Sequence, residues 1–333
     1  MDAPQVTIIV VNYNTSADTV ACVQSVERTT AADFEVVVID NGSADDSVAA
    51  LTEHTAGVVI EAGENLGFAR GVNRGVAVAR SEWILLLNPD AIVEEGAVDA
   101  LLSFAKRYPE FGMYGGRTLT PQGGTDPSSC WGEMTLWSLV CFATGLSTVF
   151  KRSRVFDPES LGRWDRDTVR EVPVITGCLM LMSRRNWDRL GGLDERYFLY
   201  GEDAEFSRRA RRAGLRPIIV PDARMIHMVG GSTSSSGSKM CMVMAGKTTV
   251  LRHTRARIPA VIGIGLLQAG ALTRGLLEIA AGRGKAATWG TVWSRRREWR
   301  PGYPEAQRHL FGGRVSVSGP RGAAPRPVPA SDR

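Results

Sequence analysis

The sequence predicts an α/β fold: a mostly parallel, Rossmann-like sheet flanked by helices, followed by a basic helical extension. Three observations carry this reading. Apolar, β-branched runs alternate with helical patterns through the first third of the chain, as in strands buried on both faces and joined by right-handed crossovers. Polar clusters follow those strands at their carboxyl ends, where such sheets bind ligands. Charge is uneven: residues 247–300 hold eleven Lys/Arg against two acids, a charge of +9 that leaves −4 for the rest of the +5 chain.

The elements follow in order. Residues 6–11 (VTIIVV) are a continuous strand run, closed by Asn12-Tyr13-Asn14, with a helical pattern over 17–29. Residues 34–39 (FEVVVI) are a second buried strand, ending in Asp40-Asn41-Gly42-Ser43; 45–51 read as a helix. A third strand at 57–61, a helix at 69–79 and a fourth strand at 83–87 (WILLL), closed by Asn88-Pro89-Asp90, complete the alternation. Residues 120–171 are less regular and read as an insertion that shapes an acceptor pocket or as a helical lid. Beyond it, 172–182 read as a strand pair or strand–turn, 185–190 and 202–213 as helices, and 216–220 as a strand closed by Pro221. A Gly/Ser-rich stretch after His227 marks the boundary, giving a catalytic domain over 1–238, a basic helical extension over 239–311 and a disordered tail over 312–333.

The 333 residues, 44% apolar and 23% charged, suit a globular chain with a large core, which excludes collagen, coiled coil and global disorder. Five scattered cysteines with no C-x-x-C pair argue against a disulfide framework or structural zinc. Residues 1–5 lack a basic stretch leading into an apolar run, so no secretory leader is expected and a reducing cytoplasm fits. Residues 258–273 carry no charge but are short for a membrane span. Arg252, Arg255 and Arg257 precede them, and Trp289, Trp293 and Trp299 follow with Arg295–Arg297 between, the composition of a membrane-interface belt; a soluble helical hairpin is the alternative.

Several residues have the chemistry of a site. Asp40 ends a buried strand and can accept from a base or ribose, although Asp-Asn-Gly is also an ordinary turn. Asn65 to Gly75 opens a helix whose amino end favours an anion, with Gly67 allowing close approach and Arg70 and Arg74 on one face, or it is simply a capped helix. Asn88 and Asp90 can reach a hard divalent ion from a turn. Glu202 and Asp203 begin a helix beside Tyr197-Phe198-Leu199-Tyr200, where an apolar wall raises carboxylate basicity; helix capping is the other reading. His227, before Gly230-Gly231-Ser232-Thr233, suits a metal or phosphate ligand or a structural role. Neither a P-loop nor a G-x-G-x-x-G fingerprint is present, which disfavours common nucleotide-triphosphate and nicotinamide enzymes.

Taken together, VNYN (11–14), VIDNGS (38–43), NLGFARGVN (65–73), LLNPD (86–90), GGLDERYFLYGED (191–203) and His227 with GGST (230–233) resemble the family 2 inverting glycosyltransferases, most of all their rhamnosyltransferase-type members. The resemblance spans roughly residues 5–235. It implies a GT-A fold, a nucleotide-sugar donor and Mg²⁺ or Mn²⁺. It implies Asp203 as the catalytic base with Glu202 beside it, and Asp90 as the last acid of a D-x-D metal motif whose first position is Asn88 here. His227 would complete the metal site. Asn12, Asn14, Asp40, Asn41, Asn65, Gly67, Phe68, Arg70, Asn73 and Asn88 would bind the donor, with Asp40 at the base.

The function expected is transfer of L-rhamnose from dTDP-L-rhamnose onto a lipid-linked or cell-wall glycan, at the inner face of the membrane, where each basic residue near anionic lipid contributes about 1 kcal/mol. A UDP-hexose or UDP-N-acetylhexosamine donor is the competing enzymatic reading, and a nucleotide-sugar or glycan binding module the non-enzymatic one. Nucleic acid is not an expected partner, because the aromatic residues of the basic segment flank an apolar helix instead of a sheet or groove.

Overall fold

All seven residues of β1 (Val6–Asn12) are buried, as a central strand covered on both faces requires. The protein is described here from a computed structural model over residues 3–228, 236–282 and 288–311. β1 lies between β2 (Phe34–Asp40) and β4 (Trp83–Leu87), both parallel to it, and β2 carries β3 (Val58–Glu61) on its outer side, also parallel. The crossovers hold α1 (Ser16–Thr29), α2 (Ser47–His54) and α3 (Phe68–Val78). Alternation along the strands sorts the core into two layers. Ile8, Val10, Val38 and Leu85 pack with Cys22, Val23 and Val26 of α1. Ile9, Ile39 and Leu86 pack with Val72 and Val76 of α3 on the other face.

The second half of the sheet is mixed. After β5 (Ala91–Val93), α4 (Ala97–Arg107) and β6 (Tyr114–Leu119), residues 120–171 contribute β7 (Cys130–Trp131), α5 (Leu136–Thr144), α6 (Leu146–Val149) and β8 (Arg170–Glu171). β9 (Val174–Ile175) pairs β7 in a small separate sheet. β10 (Leu179–Ser183) enters the main sheet antiparallel, between β4 and β6. α7 (Arg184–Leu190) and α8 (Glu202–Arg212) lead to β11 (Ile218–His227), and the sheet runs β3-β2-β1-β4-β10-β6-β11-β5, with β8 alongside β11. Parallel order, as the alternating runs predict, thus holds for the four-strand half.

Pro221 does not close its strand. β11 continues to His227 because Pro221 falls in a register shift between Val220 and Arg224, where the ladder needs no N–H from it. The extension matters for the site: β11 then pairs antiparallel with β5, placing His227 opposite Ala91, next to Asp90.

The helices α9 (Ser236–Thr254), α10 (Arg257–Ala280), α11 (Thr288–Ser294), α12 (Arg296–Trp299) and α13 (Glu305–Leu310) form a third hydrophobic cluster. That cluster includes Tyr197 and Phe198 of the segment before α8, so the extension is packed onto the catalytic part. The tryptophan belt read from the sequence is corrected at Trp299, while Trp289 and Trp293 are half-buried. Trp299 is fully buried and donates its indole N–H to the Val292 carbonyl at 2.8 Å, and Trp289 stacks on Phe142. The expected tail over 312–333 lies outside the described residues.

Candidate active site

Beyond the carboxyl ends of β1, β2 and β4 opens a cavity of about 790 Å³. At the strand ends a network braces its floor. Asn12 donates Nδ2–H to Asp40 Oδ1 at 2.8 Å and accepts from Thr15 and Thr19 at 2.9 and 2.7 Å. Asp40 also accepts from the Gly42 and Ser43 amides and the Ser43 hydroxyl. Both residues are buried, and the carboxylate is already satisfied by its own loop. Asn14, in the left-handed region at φ 53°, accepts from the Ala44 amide at 2.7 Å. These three brace the strand ends beside the cavity and are not among the residues that line it.

Asn41, Asn65, Gly67 and Phe68 do line the cavity. Asn65 Oδ1 accepts from the Gly67 amide at 3.0 Å, and Asn41 donates to the Gly67 carbonyl at 3.0 Å. Gly67 adopts φ +79°, and a Cβ there would lie 2.4 Å from the Phe198 carbonyl oxygen. The next amide, of Phe68, donates to that same oxygen at 2.8 Å. Farther along α3, Asn73 and Arg70 turn away. Asn73 exchanges two hydrogen bonds with the Leu193 backbone, at 2.8 and 2.9 Å, and donates to Glu195; Arg70 pairs loosely with Glu195 at 4.0 Å. They tie α3 to the turn before Tyr197 and do not line the cavity.

Asn88, Asp90 and His227 meet where β4, β5 and β11 converge, and all three line the cavity. His227 Nε2 lies 3.3 Å from Asp90 Oδ2, and Nδ1 lies 2.9 Å from Asp126 Oδ2. Burial lowers the imidazole's pKa, but hydrogen bonds to Asp126 and Asp90 outweigh it and raise the value to about 9. Among the described residues no group of three His, Cys, Asp or Glu forms a metal cluster. The donor chemistry nevertheless fits a divalent ion: one carboxylate and one imidazole face the cavity, and the second carboxylate can hold the far ring nitrogen. Asp126 escaped the sequence reading because 101 residues separate it from His227. The Gly230–Thr233 stretch lies outside the described residues.

Glu202 and Asp203 open α8 after a turn with positive φ at both Tyr200 and Gly201. Gly246 of α9 presses on this turn; a Cβ at Gly246 would sit 2.1 Å from the Tyr200 carbonyl oxygen. Asp203 Oδ1 accepts from the Ala204 amide at 2.7 Å, while Glu202 Oε2 is buried with no hydrogen-bond partner. Burial raises both carboxyl groups above the ordinary range, and the Asp203 charge raises Glu202 further. The insertion supplies a wall through Trp131, Glu133, Met134 and Phe142, faced by Arg208, Arg211 and Arg255.

Residues 7–159 match the glycosyl transferase family 2 profile, and residues 166–230 match the profile described as the N-terminal domain of galactosyltransferase. Residues 7–159 thus carry a family 2 glycosyltransferase domain. It is 29% identical over 241 residues to an N-acetylglucosaminyl-diphospho-decaprenol L-rhamnosyltransferase of Mycobacterium tuberculosis, covering 68% of this chain and 76% of that protein. In fold it is similar to a mannosyltransferase of Pyrobaculum calidifontis solved with GDP-Man and Mn²⁺, at TM-score 0.55 and 18% identity, over 95% of this chain and 89% of that one. The enzymatic expectation and the GT-A fold therefore hold.

The Gly67 contact has a measurable consequence. In Gly67→Ala the added methyl group meets the Phe198 carbonyl, so the donor loop must move. The variant is expected to lose the thermal stabilisation that a nucleotide-sugar donor gives the wild type. Undiminished donor stabilisation would show that the close approach does not shape this site.

Proposed function

We propose that the enzyme transfers L-rhamnose from dTDP-L-rhamnose to a lipid-linked glycan acceptor, with inversion at the anomeric carbon. The observation that carries the reading is the buried Glu202–Asp203 pair, sharing one cavity with the Asn65–Phe68 loop and the Asp90–His227 corner. Similarity to the mycobacterial rhamnosyltransferase supports the sugar and the kind of acceptor. UDP-hexose and UDP-N-acetylhexosamine are the competing donors.

In this mechanism Asp203 takes the proton of an acceptor hydroxyl as that oxygen bonds to the anomeric carbon. The bond from that carbon to the diphosphate breaks, and the nucleoside diphosphate leaves from the opposite face. Burial raises both carboxyl groups and the Asp203 charge raises Glu202 further, which favours Asp203 as the ionised partner. Asn41 and the Asn65–Phe68 loop hold the donor against the sheet rim. A divalent cation, held by Asp90 and His227, would supply charge neutralisation for the departing diphosphate.

The place of action is a membrane surface. α10 spans 24 residues and is long and apolar enough to cross a bilayer. Yet its two charged residues within the last two turns point inward. Arg274 bonds Ser147, Thr148 and the Phe142 carbonyl, and Glu278 accepts from the Trp289 and Gly290 amides. Its outer face is apolar: Ile258, Val261, Ile262, Leu276, Leu277 and Ile279 are each at least half exposed. A helix spanning a bilayer would present its polar face to lipid as well, whereas one lying in the interface buries only its outer face. The basic residues nearby favour the anionic inner leaflet.

Two measurements follow. Asp203→Asn is expected to fold and to bind donor while losing transfer by about 10²–10⁴-fold. The wild-type rate is expected to fall on acidification with a limb above the ordinary aspartate value of about 4, because the base must be ionised and burial raises its pKa. Full activity of the variant would remove Asp203 from the reaction. Separately, the protein is expected to float with anionic vesicles, more weakly with zwitterionic ones, and Val261→Glu with Leu276→Glu to abolish flotation without lowering the melting temperature. Flotation unaffected by the double substitution would remove α10 as the membrane face.

A further inference from the structure

Three arginines converge on one carboxylate in the cavity wall. Glu133 Oε1 lies 2.5 Å from Arg208 and 3.4 Å from Arg255, and its Oε2 lies 3.0 Å from Arg211. All four residues line the cavity that holds Asp203. One negative charge therefore faces three positive ones, and Arg212 crowds the same cluster. The guanidinium groups outweigh burial and hold the Glu133 carboxyl below its usual range. The Nε–H groups of Arg208 and Arg211 are buried with no partner. A cluster built only to stitch α8 and α9 to the insertion would balance its charge; this one keeps a surplus of about two cations beside the base, which matches a doubly charged anion.

The surroundings narrow the anion. Arg208 follows Asp203 by five residues on α8, a rise of roughly 7.5 Å along the axis. Next to Glu133 the wall turns apolar through Met134, Phe142, Met244, Val250 and Trp289. The donor loop and the Asp90–His227 corner belong to other elements, at the ends of β1 to β5 and β11. A base, a surplus of cations and an apolar wall in one cavity are the parts that a glycan joined through a diphosphate to an isoprenoid chain would use.

We propose that Arg208, Arg211 and Arg255 form a subsite for the diphosphate of a prenyl-diphosphate-linked acceptor, with Glu133 as the internal anion that occupies the three guanidinium groups until the acceptor's diphosphate displaces it. This subsite rests on the lipid-linked acceptor of the proposed function, but its test does not require sugar transfer.

The experiment is equilibrium binding of geranylgeranyl diphosphate, geranylgeraniol and inorganic pyrophosphate to the full chain, by calorimetry in detergent. The wild type is expected to bind the prenyl diphosphate more tightly than either the alcohol or pyrophosphate. Arg208→Gln and Arg211→Gln are each expected to weaken the prenyl diphosphate by about tenfold, the size of one charge-assisted contact, with dTDP binding unchanged. Lysine at either position is expected to restore part of the loss, because it returns the charge without the fork. Glu133→Gln, which removes the competing anion and keeps the shape, is expected to bind the prenyl diphosphate at least as tightly as the wild type. Were the glutamine variants to unfold, Glu133→Gln alone still decides. Equal binding of the prenyl diphosphate and the alcohol would overturn the subsite. So would loss of dTDP binding in the arginine variants, which would give the cluster to the donor, and so would weakened prenyl diphosphate binding in a folded Glu133→Gln. Binding as expected without rhamnose transfer would leave the subsite standing and remove the donor assignment.

Discussion

The contact between Gly67 and Phe198 is the constraint on which the site depends. It joins the loop after β3 to the segment before α8, two parts of the chain that sit 131 residues apart. The Phe198 carbonyl accepts the Phe68 amide at 2.8 Å, and the absence of a side chain at Gly67 lets the two backbones touch. The Phe198 ring lies against Gly67 too, its Cδ2 2.7 Å from where a Cβ would sit, and packs on Phe311 with centroids 4.3 Å apart, within the cluster formed by the C-terminal helices. One residue thus fixes the donor loop, the turn that presents Asp203, and the helical extension to one another.

The strain in that turn has the same origin. Tyr200 holds positive φ, a costly conformation for a residue with a side chain that persists only when its surroundings impose it, and Gly201 after it adopts positive φ freely. α9 does so through the bare backbone of Gly246 against the Tyr200 carbonyl. Tyr303 adds a hydrogen bond from its hydroxyl to the Leu199 carbonyl at 2.9 Å. The extension accordingly helps hold the turn that carries Asp203. It also buries the two carboxylates, and burial is what makes an aspartate basic enough to accept a proton near neutral pH. Lys247 of α9, bonded to Glu159 at 2.6 Å, closes the same assembly onto the insertion.

Much of this was legible in the sequence, for physical reasons. Strands covered on both faces must be apolar throughout, so β1, β2 and β4 stand out as uninterrupted runs. Residues at strand ends and helix starts are polar by necessity, which exposed Asn41, Asn65, Asn88, Asp90 and Asp203. What periodicity could not reveal is whether such a residue faces the cavity or braces it. Asp40, Asn12 and Asn73 have the right chemistry and are hydrogen-bonded to neighbouring backbone and side-chain groups. Pairings across long separations were also hidden. Asp126 reaches His227, and Glu133 gathers arginines from α8 and the end of α9, with no local signal for either. Pro221 misled because a proline ends a regular strand but is accommodated at a bulge. The tryptophans near the C-terminus misled because composition cannot separate an interface belt from a core, and Trp299 is core.

The central claim is a direct displacement, with Asp203 on one side of the sugar and the diphosphate leaving from the other. The anomeric configuration of the purified product, read by nuclear magnetic resonance against that of the donor, tests it most directly. The account requires the new linkage to have the configuration opposite to the donor's. A product that retains the donor's configuration would require two displacements, and would contradict a mechanism built on Asp203 as a base.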